Sequence, residues 1–139
     1  MAKAGCHEVS LGFESGCKQI LANLNKIFAP REVRRIAGIF HDYGIRQTGF
    51  LLLVGPGETR ASVQESLLFA DSLNLEALKI TIGIRIYPYT ALARTAVEEG
   101  IISGADDLLF PKFYLVPHLR DWLVDTIRRE MRERPHWIP

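Results

Sequence analysis

The residues Gly55-Pro56-Gly57-Glu58-Thr59 follow directly on the apolar run Phe50 to Val54 and precede a helical pattern. That spacing is suited to one kind of chemistry, the presentation of main-chain groups to a bound ligand. Two glycines and a proline remove side chains and supply unusual backbone angles where a strand ends, so a ligand can approach the backbone closely. Charged and hydroxylated residues also recur on alternate positions of two other segments, Glu8, Ser10 and Glu14 in one, Lys79, Thr81 and Arg85 in the other. Other chemistries find less support. Cys6 and Cys17 stand alone, without the second pair that a zinc site or a disulfide framework needs, and read as buried thiols. His41-Asp42 has the composition of a metal phosphohydrolase signature, but no further histidine is spaced to complete it, so an exposed helix end is expected. No Gly-x-Ser-x-Gly elbow, phosphate-loop lysine or Gly-x-Gly-x-x-Gly turn follows a strand.

The elements that must position these residues can be read from periodicity. Cys6 to Phe13 alternates, with Val9, Leu11 and Phe13 on one side, and predicts a two-faced strand. Ser15 to Ile27 has helical spacing, and Pro30 starts a second helix that carries Val33, Ile36, Ala37 and Phe40 and stops at Gly44. Phe50 to Val54 reads as a central strand buried on both faces. Thr59 caps a helix with Val63, Leu67, Ala70 and Leu73 on its apolar side. Lys79 to Tyr87 predicts a third strand. Near the C-terminus Trp122 shares a helical face with Leu119, Leu123, Ile127 and Met131, while Trp137 lies between prolines in a segment expected to be a loose tail. Arg128, Arg129, Arg132 and Arg134 are interleaved with Glu130 and Glu133, as on a solvated helix end.

Strands alternating with helices predict β-α-β units and a parallel sheet. The first and third strands keep one polar side. A partial β/α barrel with a wet lumen accounts for that split, Glu8, Ser10, Glu14, Lys79, Thr81 and Arg85 facing inward; a sheet with one solvated face is the alternative. The expected fold class is therefore α/β, a half barrel of three parallel strands alternating with helices, followed by C-terminal helices. Three strands cannot close a barrel, and the open edges call for pairing with a missing N-terminal half or with a second copy. Met1 to Gly5 reads as the last turn of a helix with nothing before it, which adds to the expectation of a missing part.

With 139 residues, 47% hydrophobic and 24% charged, the chain can build one packed core. A formal net charge of +1 gives no field that would favour nucleic acid or an acidic membrane surface. No run approaches the roughly 18 apolar residues of a membrane span and no leader is evident, so a cytoplasmic location is expected.

Four motifs in order carry a resemblance: Ala4-Gly-Cys-His-Glu-Val-Ser-Leu-Gly-Phe-Glu-Ser-Gly16 with the Lys26 segment after it, Gly55-Pro-Gly-Glu-Thr59, Arg85-Ile-Tyr-Pro-Tyr-Thr90, and Asp106-Asp-Leu-Leu-Phe-Pro-Lys-Phe-Tyr114. Together they resemble the C-terminal half of a radical S-adenosylmethionine domain, in the group that often carries a cobalamin-binding domain. The resemblance implies that residues 1–114 are the second half of a six-stranded barrel and 115–139 a C-terminal helix and tail. It implies a cofactor-binding rim: Glu14 and Ser15 at the end of the fourth strand, Leu53, Gly55, Gly57 and Glu58 at the fifth, where Leu51 replaces the usual first glycine, and Arg85 and Tyr87 at the sixth. In that place a Glu14 carboxylate can accept two hydrogen bonds from a ribose diol and Arg85 can clasp a carboxylate, or the two can pair with each other.

The family's iron–sulfur cluster needs a Cys-x-x-x-Cys-x-x-Cys loop, which this chain lacks. The expectation is thus a fragment of a radical enzyme, inactive alone and with weak or absent S-adenosylmethionine binding. The 4Fe–4S cluster, and the cobalamin of the group that carries it, would belong to the intact parent. A non-catalytic assembly module that dimerises through its sheet edges is the alternative.

Overall fold

The structure, a computed structural model, describes every residue from Met1 to Pro139. Its elements in order are β1 (Glu8–Glu14), α1 (Lys18–Asn23), α2 (Pro30–Asp42), β2 (Arg46–Leu53), α3 (Arg60–Asp71), β3 (Ala77–Ile82), β4 (Ile84–Ile86), α4 (Ala91–Glu98), β5 (Lys112–Tyr114), α5 (Arg120–Glu133) and β6 (Trp137–Ile138). β1, β2, β3 and β6 form one sheet in that spatial order, and every pairing in it is parallel. The class is α/β, as the alternation of patterns predicts, with a fourth strand that the sequence does not reveal.

Register decides which residues share a face. Val9 lies beside Gln47, Leu11 beside Gly49, and Gly49 beside Leu78, so these residues look to one side. That side is covered by helices: Phe13 packs edge-on against Phe69 of α3 at 5.7 Å, and the Gln47 amide donates to the Ala37 carbonyl of α2 at 3.0 Å. The core sits there, with Leu51, Leu53, Val63, Leu78, Leu123 and Trp137 almost wholly buried. The opposite face carries Ser10 beside Thr48, Phe50 beside Lys79, and Leu52 beside Thr81. Phe50 and Leu52 are half-buried rather than buried, so the central strand is apolar on both faces but covered on one.

Four local readings change. The segment Lys79 to Tyr87 is not one strand: Gly83, at φ +89°, ends the parallel ladder, and β4 pairs antiparallel with β5 in a separate two-stranded ribbon. Perfect alternation continues through the break, which is why the sequence gives no sign of it. The first helix is shorter than Ser15 to Ile27, because Asn25 enters the left-handed region and Ile27 stands fully exposed. Trp137 is no loose tail; α5 returns the chain to the sheet and β6 lies beside β3, Trp137 beside Leu78, with the indole 3% exposed. Both thiols, Cys6 and Cys17, are half-exposed rather than buried. No helix is long and apolar enough to cross a membrane.

Candidate functional site

In a parallel sheet all strands end on the same rim, and here the C-terminal ends of β1, β2 and β3 gather most of the residues singled out above. At the end of β1 the pairing slips by one residue between Gly12 and Glu14, a bulge that re-aims the side chain that follows. Glu14 takes φ 61°, and its Oε1 lies 3.5 Å from where a Cβ on Gly12 would stand, over the open face. The carboxylate is held by Lys26 Nζ at 3.1 Å. Glu14 therefore pairs with the lysine that follows α1, not with Arg85.

Ser15 is fully buried and belongs to the frame of the rim. Its hydroxyl meets the Ser66 hydroxyl of α3 at 2.8 Å and accepts the Cys17 amide, while Ser66 accepts the Gly16 amide. This small knot ties the end of β1 to α3. Cys17, next to it, is pushed above its ordinary thiol range by burial and by the nearby Glu65.

At the end of β2 the chain reverses through Val54 to Glu58. Val54 is a β-branched residue at φ 71°, a conformation that costs roughly 1–2 kcal/mol and needs support. Glu58 supplies it: its Oε2 accepts the amides of both Val54 and Gly55, and the Ser62 hydroxyl points at Oε1 from 3.5 Å. The side chain is 2% exposed. Burial pushes its carboxyl above the usual carboxylate range, against the downward pull of the two amides and the hydroxyl. Gly57 takes φ 78°, open to a residue without Cβ, and Asn23 Nδ2 of α1 donates to the Pro56 carbonyl at 2.8 Å. Leu53 turns its side chain into the core and its carbonyl accepts the Gly83 amide at 3.0 Å. Thr59 caps α3 by accepting the Ser62 amide at 3.1 Å, in reciprocal bonding with Ser62.

Arg85 and Tyr87 stand apart from this group, on the ribbon that leaves the rim at Gly83. Arg85 lies opposite Phe113, with its guanidinium carbon 4.9 Å from the Tyr87 ring, and all three side chains are exposed. Arg85 has no carboxylate within ion-pair distance. Of the other inward-facing candidates, Glu8 is engaged at the opposite end of the sheet by Arg46 and by the Thr48 hydroxyl. Ser10, Lys79 and Thr81 line the open face. His41 and Asp42 are exposed at the end of α2. No three histidine, cysteine or acidic side chains gather as a metal-binding group.

The arrangement can present backbone from a braced turn and one half-buried carboxylate–ammonium pair to a ligand lying across the strand ends. Sequence reasoning does not identify Lys26 as the partner of Glu14, nor Asn23 and Ser66 as braces. A serine in the buried stripe of α3 is the one signal that marks Ser66.

No family model matches this chain. It is 28% identical over 133 residues, 96% of its length, to an uncharacterized methyltransferase of Pyrococcus horikoshii, PH0819, and spans only 29% of that relative. Two solved structures of the radical S-adenosylmethionine methyltransferase TsrM from Kitasatospora setae superpose with TM-score 0.65 at 22% identity. One holds tryptophan substrate and a S-adenosylmethionine analogue, the other cobalamin and a [4Fe-4S] cluster. The similarity covers 70% of this chain and 19% and 20% of those chains, so most of this chain has the fold of about one-fifth of TsrM.

Proposed function

We propose that this chain is the second half of the β/α barrel of a radical S-adenosylmethionine enzyme of the methyl-transferring class, and that its rim cradles the cofactor. The observation that carries the reading is the pair of non-glycine residues in left-handed backbone, Glu14 and Val54, at neighbouring strand ends and each held by a charged partner. Strain of this kind collects at ligand sites. In this reading Glu14 accepts the ribose hydroxyls, the backbone from Val54 to Gly57 lies against the adenine, and Ser15 and Glu58 keep those groups in position. Leu53 serves through its backbone. Arg85 and Tyr87 reach the cofactor or the substrate from the ribbon. The similarity to PH0819 and TsrM supports the class of reaction.

The residues present do not fit an iron–sulfur cluster. Two cysteines, one opening β1 and one opening α1, cannot supply three thiolates to one cluster. Any reductive chemistry, and any cobalamin, depends on parts outside this chain.

Amide-resolved NMR of the chain with S-adenosylmethionine tests the reading. Shifts at Gly12–Ser15 and Val54–Glu58, with any others limited to Arg85–Tyr87, are expected; none at millimolar ligand, or shifts elsewhere only, would sink it.

A second reading, an assembly module, is favoured by one observation. β1 is an edge strand, and beside it an apolar cleft of about 180 Å³ is lined by Leu11, Phe13, Phe28, Val33 and Ile36. An edge with unpaired backbone groups and an apolar cleft beside it suits a further strand, from a separate N-terminal half or from a second copy. Sedimentation separates the two, since only the second copy gives twice the chain mass.

A further inference from the structure

A cavity of about 640 Å³ opens beyond the end of β3, apart from the rim residues assigned to the cofactor. Ile82, Ile101, Phe113 and Leu115 form apolar walls, and two charged side chains, Glu99 and Arg120, line it as well. The volume lies within the roughly 300–1,000 Å³ of small-ligand sites, which join apolar walls to a few placed polar groups.

The two charges are set by the fold. Glu99 caps the end of α4 and Arg120 opens α5. Glu99 Oε2 accepts the Tyr114 hydroxyl at 2.8 Å, which fixes the carboxylate. Burial, and then Glu99 beside it, push the Tyr114 phenol up to about 12, so it remains a donor. Neither Glu99 nor Arg120 has an oppositely charged side chain within ion-pair distance. A cavity that offers one anion and one cation, each without a counter-ion, between apolar walls is complementary to a zwitterion with an apolar substituent.

We propose that this cavity binds a free amino acid with a large apolar side chain, its ammonium on Glu99, its carboxylate on the planar fork of Arg120, and its side chain against Phe113 and Ile82. The match is of charge and surface together. A peptide offers only one of the two charges at a given residue, so it is a poorer ligand. The site stands independently of the cofactor reading.

Calorimetric titration of the whole chain with L-phenylalanine, and with hydrocinnamate and phenethylamine as analogues that each lack one charge, provides the test. L-phenylalanine should bind, and each analogue should bind about tenfold more weakly or worse, the scale of a lost charge-assisted hydrogen bond. Arg120→Gln should weaken L-phenylalanine by a similar factor and leave phenethylamine unchanged; Glu99→Gln should weaken L-phenylalanine and leave hydrocinnamate unchanged. Both positions are exposed, and the analogue series needs no variant at all. Absence of binding at millimolar L-phenylalanine, L-leucine and L-tryptophan, or equal affinity of all three phenyl ligands, would overturn the proposal and leave the cofactor rim untouched.

Discussion

Glu58 Oε2 accepts the amide of Val54, four residues behind it, at the one β-branched residue of this chain that takes a left-handed conformation. The strain and its support are thus encoded within five consecutive residues. Glu58→Ala leaves two buried amides without a partner and should cost about 2–4 kcal/mol in urea unfolding. Glu58→Gln keeps an acceptor and should cost far less.

The same carboxyl sets a pH dependence. Its folded value is raised above the ordinary 4.5, so its contribution to stability is fully present below that value and is lost as pH rises through the folded value. Stability of Glu58→Gln relative to the parent should therefore improve from acid toward neutral pH. A difference that does not change with pH would mean that Glu58 titrates as in the unfolded chain.

Arg134 joins three elements: it bonds Asp71 of α3 through Nε and Nη2, bonds Glu130 at 2.7 Å, and lies 4.7 Å over the Trp137 ring. Arg134→Met should cost about 1–2 kcal/mol, reduced by its partial exposure. Hydrogen bonding to Arg134 holds the Asp71 carboxyl below its ordinary 3.8, so this contribution is present above that pH and is lost as pH falls through the folded value. Acid unfolding of Arg134→Met should show a shallower dependence in that range.

Gln47 buries its Oε1 with no partner, while its Nε2 bonds a carbonyl that α2 already satisfies. Gln47→Met keeps the volume and removes the orphaned oxygen. It should be neutral or stabilising by about 1 kcal/mol, read from the urea midpoint.

Gly49 lies on the covered face, where an added Cβ would stand 2.9 Å from the Phe13 ring and closer still to Leu75. Gly49→Ala should cost about 1–3 kcal/mol through overpacking. A thermal midpoint equal to that of the parent would mean the contact relaxes freely.

The parts legible in the sequence are those set by local pattern. The parallel α/β class, Pro30 at the start of α2, Gly44 at its end and the Thr59 cap all follow from side-chain period and backbone chemistry near each residue. The rest depends on partners distant in the chain. The alternation from Lys79 to Tyr87 is the same whether its neighbours run parallel or antiparallel, so the switch at Gly83 leaves no trace in the pattern. Trp137 enters the sheet because α5 delivers it beside Leu78, fifty-nine positions earlier. The Lys26 hold on Glu14 needs the bulge in β1, and the burial of Ser15 needs Ser66.

The change of pairing direction at Gly83 separates two tasks along one stretch of chain. Residues before it answer to the spacing of the main sheet; those after it alternate between Ile86, which joins the common core, and Arg85, which stays exposed opposite Phe113 of β5. Substitutions at the exposed Arg85, Tyr87 and Phe113 would change what overhangs the strand ends without shifting a single pair between β1 and β3. Reach over the rim is thereby adjustable in evolution while the scaffold below stays fixed.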